Sequence, residues 1–169
     1  INWPWILIAK AMGVPLDPPG VRISRLEETI LAAKALMAPG EVEIHGDHVN
    51  LYGFQGEPQP VAGTPPIMVG GGSKRVLTMG GRLADIVSFN FNNRSGMIGP
   101  DGVQSSTAEL TAQKVEWVRK AAGERFADLE LEIGAYFAAV GDHAEAMAAG
   151  MAGVFGLEVE AMRAHPHAL

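Results

Sequence analysis

Between residues 66 and 153 the chain alternates short, uninterrupted apolar runs with helical segments. "PIMVG" leads into a helical Ser73–Leu83, "ADIVSFN" into a helix over Thr107–Ala122, and "LELEIGAYFAAV" into a helix over Asp142–Gly153. A strand buried on one face alternates apolar and polar residues. A strand apolar throughout needs cover on both faces, as in a parallel sheet flanked by helices or closed into a barrel. The pattern predicts an α/β fold with three parallel strands near Pro66–Gly70, Asp85–Phe89 and Leu131–Val140. Closing a barrel takes eight strands and roughly 200 residues or more. The expectation is therefore part of a (β/α)8, or TIM, barrel.

The front of the chain reads differently. "SRLE" is a capping box that starts a helix at Ser24, with Leu26, Ile30, Ala33 and Met37 on one face and Pro39-Gly40 as its stop. Glu41–Phe54 alternates around a Gly46-Asp47 turn and reads as an antiparallel β-hairpin excursion, followed by the proline-rich connector "QGEPQPVAGTPP". Farther on, "STAE" places a second cap at Ser106, "DHAE" opens the helix after Asp142, and Pro166 stops a last helix near Ala164. Residues 1–169 read as a single domain fragment.

Charge removes several functions. Thirteen Lys and Arg are scattered among nineteen Asp and Glu, for a net charge of -6, with no basic stripe to hold a nucleic acid. The chain has no cysteine, hence neither disulfides nor thiolate metal sites. The apolar opening "INWPWILIAKAMGV" is too short to span a bilayer and lacks the marks of a signal peptide. The expectation is a cytoplasmic protein with no membrane partner. Because residue 1 is isoleucine, the chain is also expected to begin inside a longer product or after processing.

Three consecutive glycines, Gly70, Gly71 and Gly72, stand where the first parallel strand meets its helix, followed by Ser73, Lys74 and Arg75. A strand, a glycine turn and a helix N-terminus form an anion site: first-turn amides point outward, the helix dipole adds positive potential, and glycine admits the ligand closely. The flanks match neither GxxxxGK[ST] nor GxGxxG. The rival reading is a ligand-free tight turn. On the anion reading, a side chain at Gly71 costs affinity more than stability.

"HGDH", with His45, Asp47 and His48, straddles a hairpin turn and reads as polar surface, so no metal site is assigned. His165 and His167 of "HPH" read as a helix stop, and Glu130 and Glu132 as water-facing at a strand's N-terminal end. No nucleophile with its base and no paired acid and base stand out, so the catalytic residues are left open.

"RLEETILAAKALM", "GEVEIHGDHVNLYGFQGEPQP", "PPIMVGGGSKRVLTMGGRLADIVSFN" and "AHPHAL", in that order from about Met12 onward, resemble the later part of the luciferase-like monooxygenase family, closest to its F420-dependent branch. The resemblance implies the C-terminal half of a (β/α)8 barrel and an oxidoreductase or monooxygenase acting on a small organic substrate. Its cofactor would be coenzyme F420, or alternatively FMN. It further implies that Gly70, Gly71, Gly72 and Ser73 line the cofactor phosphate and that Asn90 faces the substrate or the cofactor ring. "INWPWILIAK" departs from the polar helix usual before "MGVPLDPPGVR". A half barrel leaves two sheet edges open, so a homo-oligomer is expected. Two other readings stand beside this one: a truncated, catalytically inactive binding or assembly module, and a phosphosugar-type barrel enzyme.

Overall fold

A computed structural model describes residues 5–93 and 99–168. They divide into two compact units, Leu16–Ile67 on the one hand and Ile1–Pro15 with Met68–Leu169 on the other. Helix α1 (Trp5–Ala11) belongs to the second of these. Among the described residues no helix is long and apolar enough to cross a membrane.

In the Leu16–Ile67 unit, helix α2 (Pro19–Leu36) starts ahead of the expected cap at Ser24. Pro19 occupies the first helical turn, where its fixed φ suits the helix and its missing N–H costs nothing. Ile30 and Ala32 are the buried positions, on opposite sides of the helix, whereas Leu26 is exposed, so burial does not follow the single face that the periodicity predicted. The expected stop holds, with Gly40 in a left-handed conformation at φ +110.

Strands β1 (Glu41–His45) and β2 (Asn50–Gln55) form the expected antiparallel hairpin, Val42 opposite Phe54 and Ile44 opposite Leu51. One carboxylate ties it to α2. Glu28 Oε2 accepts the backbone N–H of His48 at 2.7 Å and of Val49 at 2.8 Å. These donors, the His48 N–H first, hold the Glu28 carboxyl below its ordinary value of 4.5.

The larger unit is built on three parallel strands, β3 (Met68–Gly71), β4 (Ile86–Phe89) and β5 (Glu130–Ile133), hydrogen-bonded in the order β3-β4-β5. Met68, Ile86 and Glu130 lie level at one edge, and Gly71, Phe89 and Ile133 at the other. Helix α3 (Lys74–Leu83) links β3 to β4. Helices α4 (Pro100–Gln104) and α5 (Ala108–Ala122), with a 3-10 turn over Gly123–Asp128, lead to β5. Helices α6 (Ala144–Phe155) and α7 (Val159–Arg163) follow. Val69, Val87 and Phe89 of the strands are buried, as are Leu77 and Met79 of α3 and Val118 of α5. Each such side chain contributes about 1.5–3 kcal/mol. The mixed α/β class and the parallel order agree with the sequence pattern; the sheet itself is small and does not close.

Two local expectations are corrected. Strand β5 ends at Ile133 rather than Val140, because past Gly134 the backbone turns to the chain's tail. There Tyr136 and Phe137 both donate their N–H to the His167 carbonyl, at 2.9 and 3.1 Å. The cap of α5 is Thr107, whose Oγ1 accepts from Leu110 N; Ser106 is instead drawn inside by Lys114.

The Glu28 tie gives a pH test with a definite sign. A carboxyl whose folded value is depressed stabilises above its ordinary range and loses that contribution as pH falls through the folded value. Below pH 4.5 the His48 and Val49 amides are expected to lose hydrogen-exchange protection ahead of the β1 amides. Glu28→Ala should produce the same loss at neutral pH. Unchanged protection in that variant would show the tie to be idle.

Candidate functional site

Because the three strands run parallel, their C-terminal ends share one edge, and the loops leaving it bring together Gly70–Ser73, Asn90–Asn93 and Gly134–Tyr136. This is where α/β sheets bind ligands, since helix N-termini and free loop ends face it. Ser73, in extended backbone, caps α3: its Oγ accepts from Val76 N at 3.4 Å, which leaves the hydroxyl hydrogen free to donate. The first turn of α3 carries no acidic residue.

The glycines separate into two kinds. A Cβ on Gly72 would lie 2.4 Å from the Phe91 backbone and 2.5 Å from the Asn90 carbonyl oxygen; one on Gly71 would lie 2.5 Å from Val76 Cγ1. Both are required by the chain's own packing. The expectation that a Gly71 side chain costs affinity more than stability is therefore corrected, because Val76 is β-branched on a helix and has little room to yield. Gly70 differs: it is exposed, and a Cβ there would meet chiefly the Asn90 amide nitrogen, at 3.0 Å. None of the three has positive φ.

Asn90 is held from four sides. Its N–H donates to Gly71 O at 3.0 Å and its carbonyl accepts from Lys114 Nζ at 2.9 Å. Its Oδ1 accepts from the Tyr136 hydroxyl at 2.5 Å, and its Nδ2 lies 3.5 Å from Ser88 Oγ. Lys114 is 2% exposed and also donates to Ser106 Oγ at 2.5 Å. Burial pushes its ammonium down from 10.5 to about 8.

Beneath Tyr136 lie two buried histidines. His165 Nε2 donates to Val103 O at 3.0 Å while its Nδ1 accepts the His167 N–H at 3.2 Å, so both nitrogens are used in one tautomer. His167 Nδ1 donates to Gly134 O at 2.7 Å, leaving Nε2 buried with no partner among the described residues. Burial holds His167 below the ordinary histidine value. Its ring is 4.5 Å from that of Phe91 and 5.2 Å from that of Tyr136.

A model of the luciferase-like monooxygenase family matches residues 7–152. The chain belongs to the luciferase-like monooxygenase family. Among solved structures its fold is similar to that of riboflavin lyase (RcaE), crystallised with modified FMN and its substrate riboflavin. The TM-score is 0.54 and the identity 17%, over 87% of this chain and 35% of that one. The chain thus spans about a third of that enzyme's length, and at such identity the likeness is one of fold. A search of curated proteins returns no significant match.

Of the residues read from the sequence, Gly70–Ser73 and Asn90 do meet at one edge of the sheet. His45 instead contacts Glu43 at 3.0 Å, and among the described residues no three side chains of metal-ligating type gather. Glu130 opens β5 and is exposed, as expected, but Glu132 is the third of the strand's four residues and half-buried, not a water-facing residue at its N-terminal end. "HPH" is more than a helix stop, because both histidines fill the space under the loops. Lys114, Ser106 and Tyr136 were missed. One signal was available: Lys114 shares a helical stripe with Val118 and Ala122, all three buried, and a charge on such a stripe needs a buried partner.

Two stability measurements check this geometry. Gly72→Ala should cost about 3 kcal/mol or more, because backbone has to move. Gly70→Ala should cost less than Gly72→Ala, because only the Asn90 amide nitrogen has to give, by a few tenths of an ångström. Equal losses in thermal or denaturant unfolding would contradict the distinction. For Lys114 the folded value lies below the unfolded one, so the unfolded chain binds the proton more readily and stability rises with pH. The gain between pH 8 and 10.5 should reach about 3 kcal/mol and be missing from Lys114→Met. Parallel profiles for both proteins would refute it.

Proposed function

We propose that this chain is the C-terminal part of a (β/α)8 luciferase-like oxidoreductase that acts on a small organic substrate with coenzyme F420, FMN being the alternative. The observation that carries it is the β3–α3 junction in a member of this family. Ser73 and the acid-free first turn of α3 open beside the bare Gly70 at the sheet's C-terminal edge. These residues offer donors, which fits a phosphate. Ser73 and the α3 amides would hold the cofactor phosphate, with Lys74 adding charge nearby, its Nζ 5.9 Å from the Trp117 ring. Asn90 would face the substrate. Once bound, the cofactor supplies the hydride or oxygen chemistry. The chain's own part is to bind, to orient and to keep Asn90 fixed.

Self-association belongs to the same proposal, since open strand edges favour pairing. The phosphosugar reading needs a lysine or carboxylate at a strand end that reaches substrate; Lys114 is too buried and too fully engaged to serve as the lysine. A binding or assembly module without activity would keep the same junction and differ only in turnover.

Sedimentation velocity of the chain with F420 and with FMN, read at the cofactor's wavelength, tests cofactor and assembly together. The cofactor should co-sediment with species larger than a monomer. Ser73→Ala should weaken binding about tenfold or more, as the loss of a charge-assisted bond implies. Failure of both cofactors to bind a folded chain, or a monomer throughout, would sink the corresponding half of the proposal.

A further inference from the structure

The tail is fastened to the sheet through histidines rather than through apolar side chains. The His167 carbonyl accepts the Tyr136 and Phe137 N–H groups, and an isolated parallel bridge pairs Phe137 with Ala168, so the tail lies along the loop that leaves β5. Both rings close the same contact from inside, His165 at 1% exposure and His167 at 0%. His167 Nδ1 donates to Gly134 O at 2.7 Å, and the His167 N–H donates to His165 Nδ1 at 3.2 Å.

These bonds fix where a second proton on either ring would have to go. His165 carries its proton on Nε2, for Val103 O, and another on Nδ1 would face the His167 N–H that this nitrogen now accepts. His167 carries its proton on Nδ1. Another would sit on Nε2, which is buried and has no acceptor among the described residues. The Lys114 ammonium on α5 and His165 in the tail itself both oppose a positive charge there, whereas Glu132 on β5 and the Gly134 carbonyl favour one. The Phe91 and Tyr136 rings that cover His167 bring no charge. Desolvation is the largest influence, and together these hold His167 below its ordinary value of 6.5.

We propose that residues 164–168 form a proton-released clasp on the loop after β5, shut while both histidines are neutral and opened when His167 takes up a proton. Opening frees Gly134–Phe137, one of the three loops at the sheet's C-terminal edge, and with it the Tyr136 hydroxyl that holds Asn90. The clasp follows from packing and does not depend on which cofactor, if any, the edge binds. Its sign is fixed by linkage. An open tail is hydrated and binds the proton more readily than the closed one, so the closed form loses ground as pH falls below 6.5, until the depressed folded value is reached. Lys114 acts in a separate window, above about 8, and Glu28 belongs to the other unit.

Native-state hydrogen exchange of the full chain, corrected for the pH dependence of chemical exchange, reads the opening at the Tyr136 and Phe137 amides. These should exchange faster than the buried Leu77 and Val118 amides at every pH, as local opening requires. Their protection should be level above pH 7 and fall about tenfold between pH 7 and 5.5. His167→Phe keeps a ring in place but binds no proton, and in it the two amides should be less protected and level over the same range. Exchange no faster than that of Leu77, level protection in wild type, or a slope that survives in His167→Phe overturns the clasp. If His167→Phe does not fold, the His167 ring followed by NMR in wild type decides. A ring that stays neutral until the two amides lose protection supports the clasp, and one that becomes charged at pH 6.5 or above with both amides still protected overturns it.

Discussion

At the C-terminal edge of the sheet, the backbone of Gly72 lies against that of Asn90 and Phe91, and the position of every neighbouring group follows from this contact. The approach is too close for any Cβ. It is closed by Asn90 N–H on Gly71 O, and from behind by Lys114 on Asn90 O. A neutral backbone bond contributes about 1 kcal/mol net, a charged donor somewhat more. The glycine triplet that resembles a ligand loop is thus, in two of its three members, a packing requirement of the β3–β4 join. The third, Gly70, is where packing makes little demand and open space remains.

Lys114 shows how such a join is maintained at a cost. An ammonium at 2% exposure loses its hydration, and two acceptors, Asn90 O and Ser106 Oγ, offset part of that loss. Desolvation by burial pushes the ammonium down to about 8. Burying a charge here instead of an apolar chain satisfies a carbonyl at the strand's end that would otherwise lack a strong donor. The two histidines under Tyr136 are held in the same way, by carbonyls of Val103 and Gly134.

Membership of the luciferase-like monooxygenase family and this edge geometry bear on different parts of the function. The family match extends over residues 7–152, from α1 into α6. The edge supplies what this chain itself contributes: a donor-lined helix start at Ser73, and an aromatic and amide pair at Tyr136 and Asn90 fixed before any ligand is present.

Local physics was legible in the sequence. Continuous apolar runs dictated the parallel strands, of which only β4 is largely buried, alternation around Gly46-Asp47 dictated the hairpin, and Pro39-Gly40 stopped α2, because each depends on residues a few positions apart. Gly70–Ser73 and Asn90 were also readable, as the ends of successive strands. What the sequence left open was set by contacts across long separations. Glu28 reaches His48, Lys114 reaches back to Asn90, Tyr136 to the same asparagine, and His167 to Gly134. None of these pairs leaves a periodic trace, since a side chain's partner across the fold depends on how helices and strands are stacked. Even the caps obeyed this rule: Ser106 is a good N-cap by residue type, but a buried lysine nearby claimed its hydroxyl, and Thr107 took the role. The sequence by itself determined which elements form and in what order; the tertiary structure decided which polar groups they bury, because burial leaves an unpaired donor or acceptor no water to turn to.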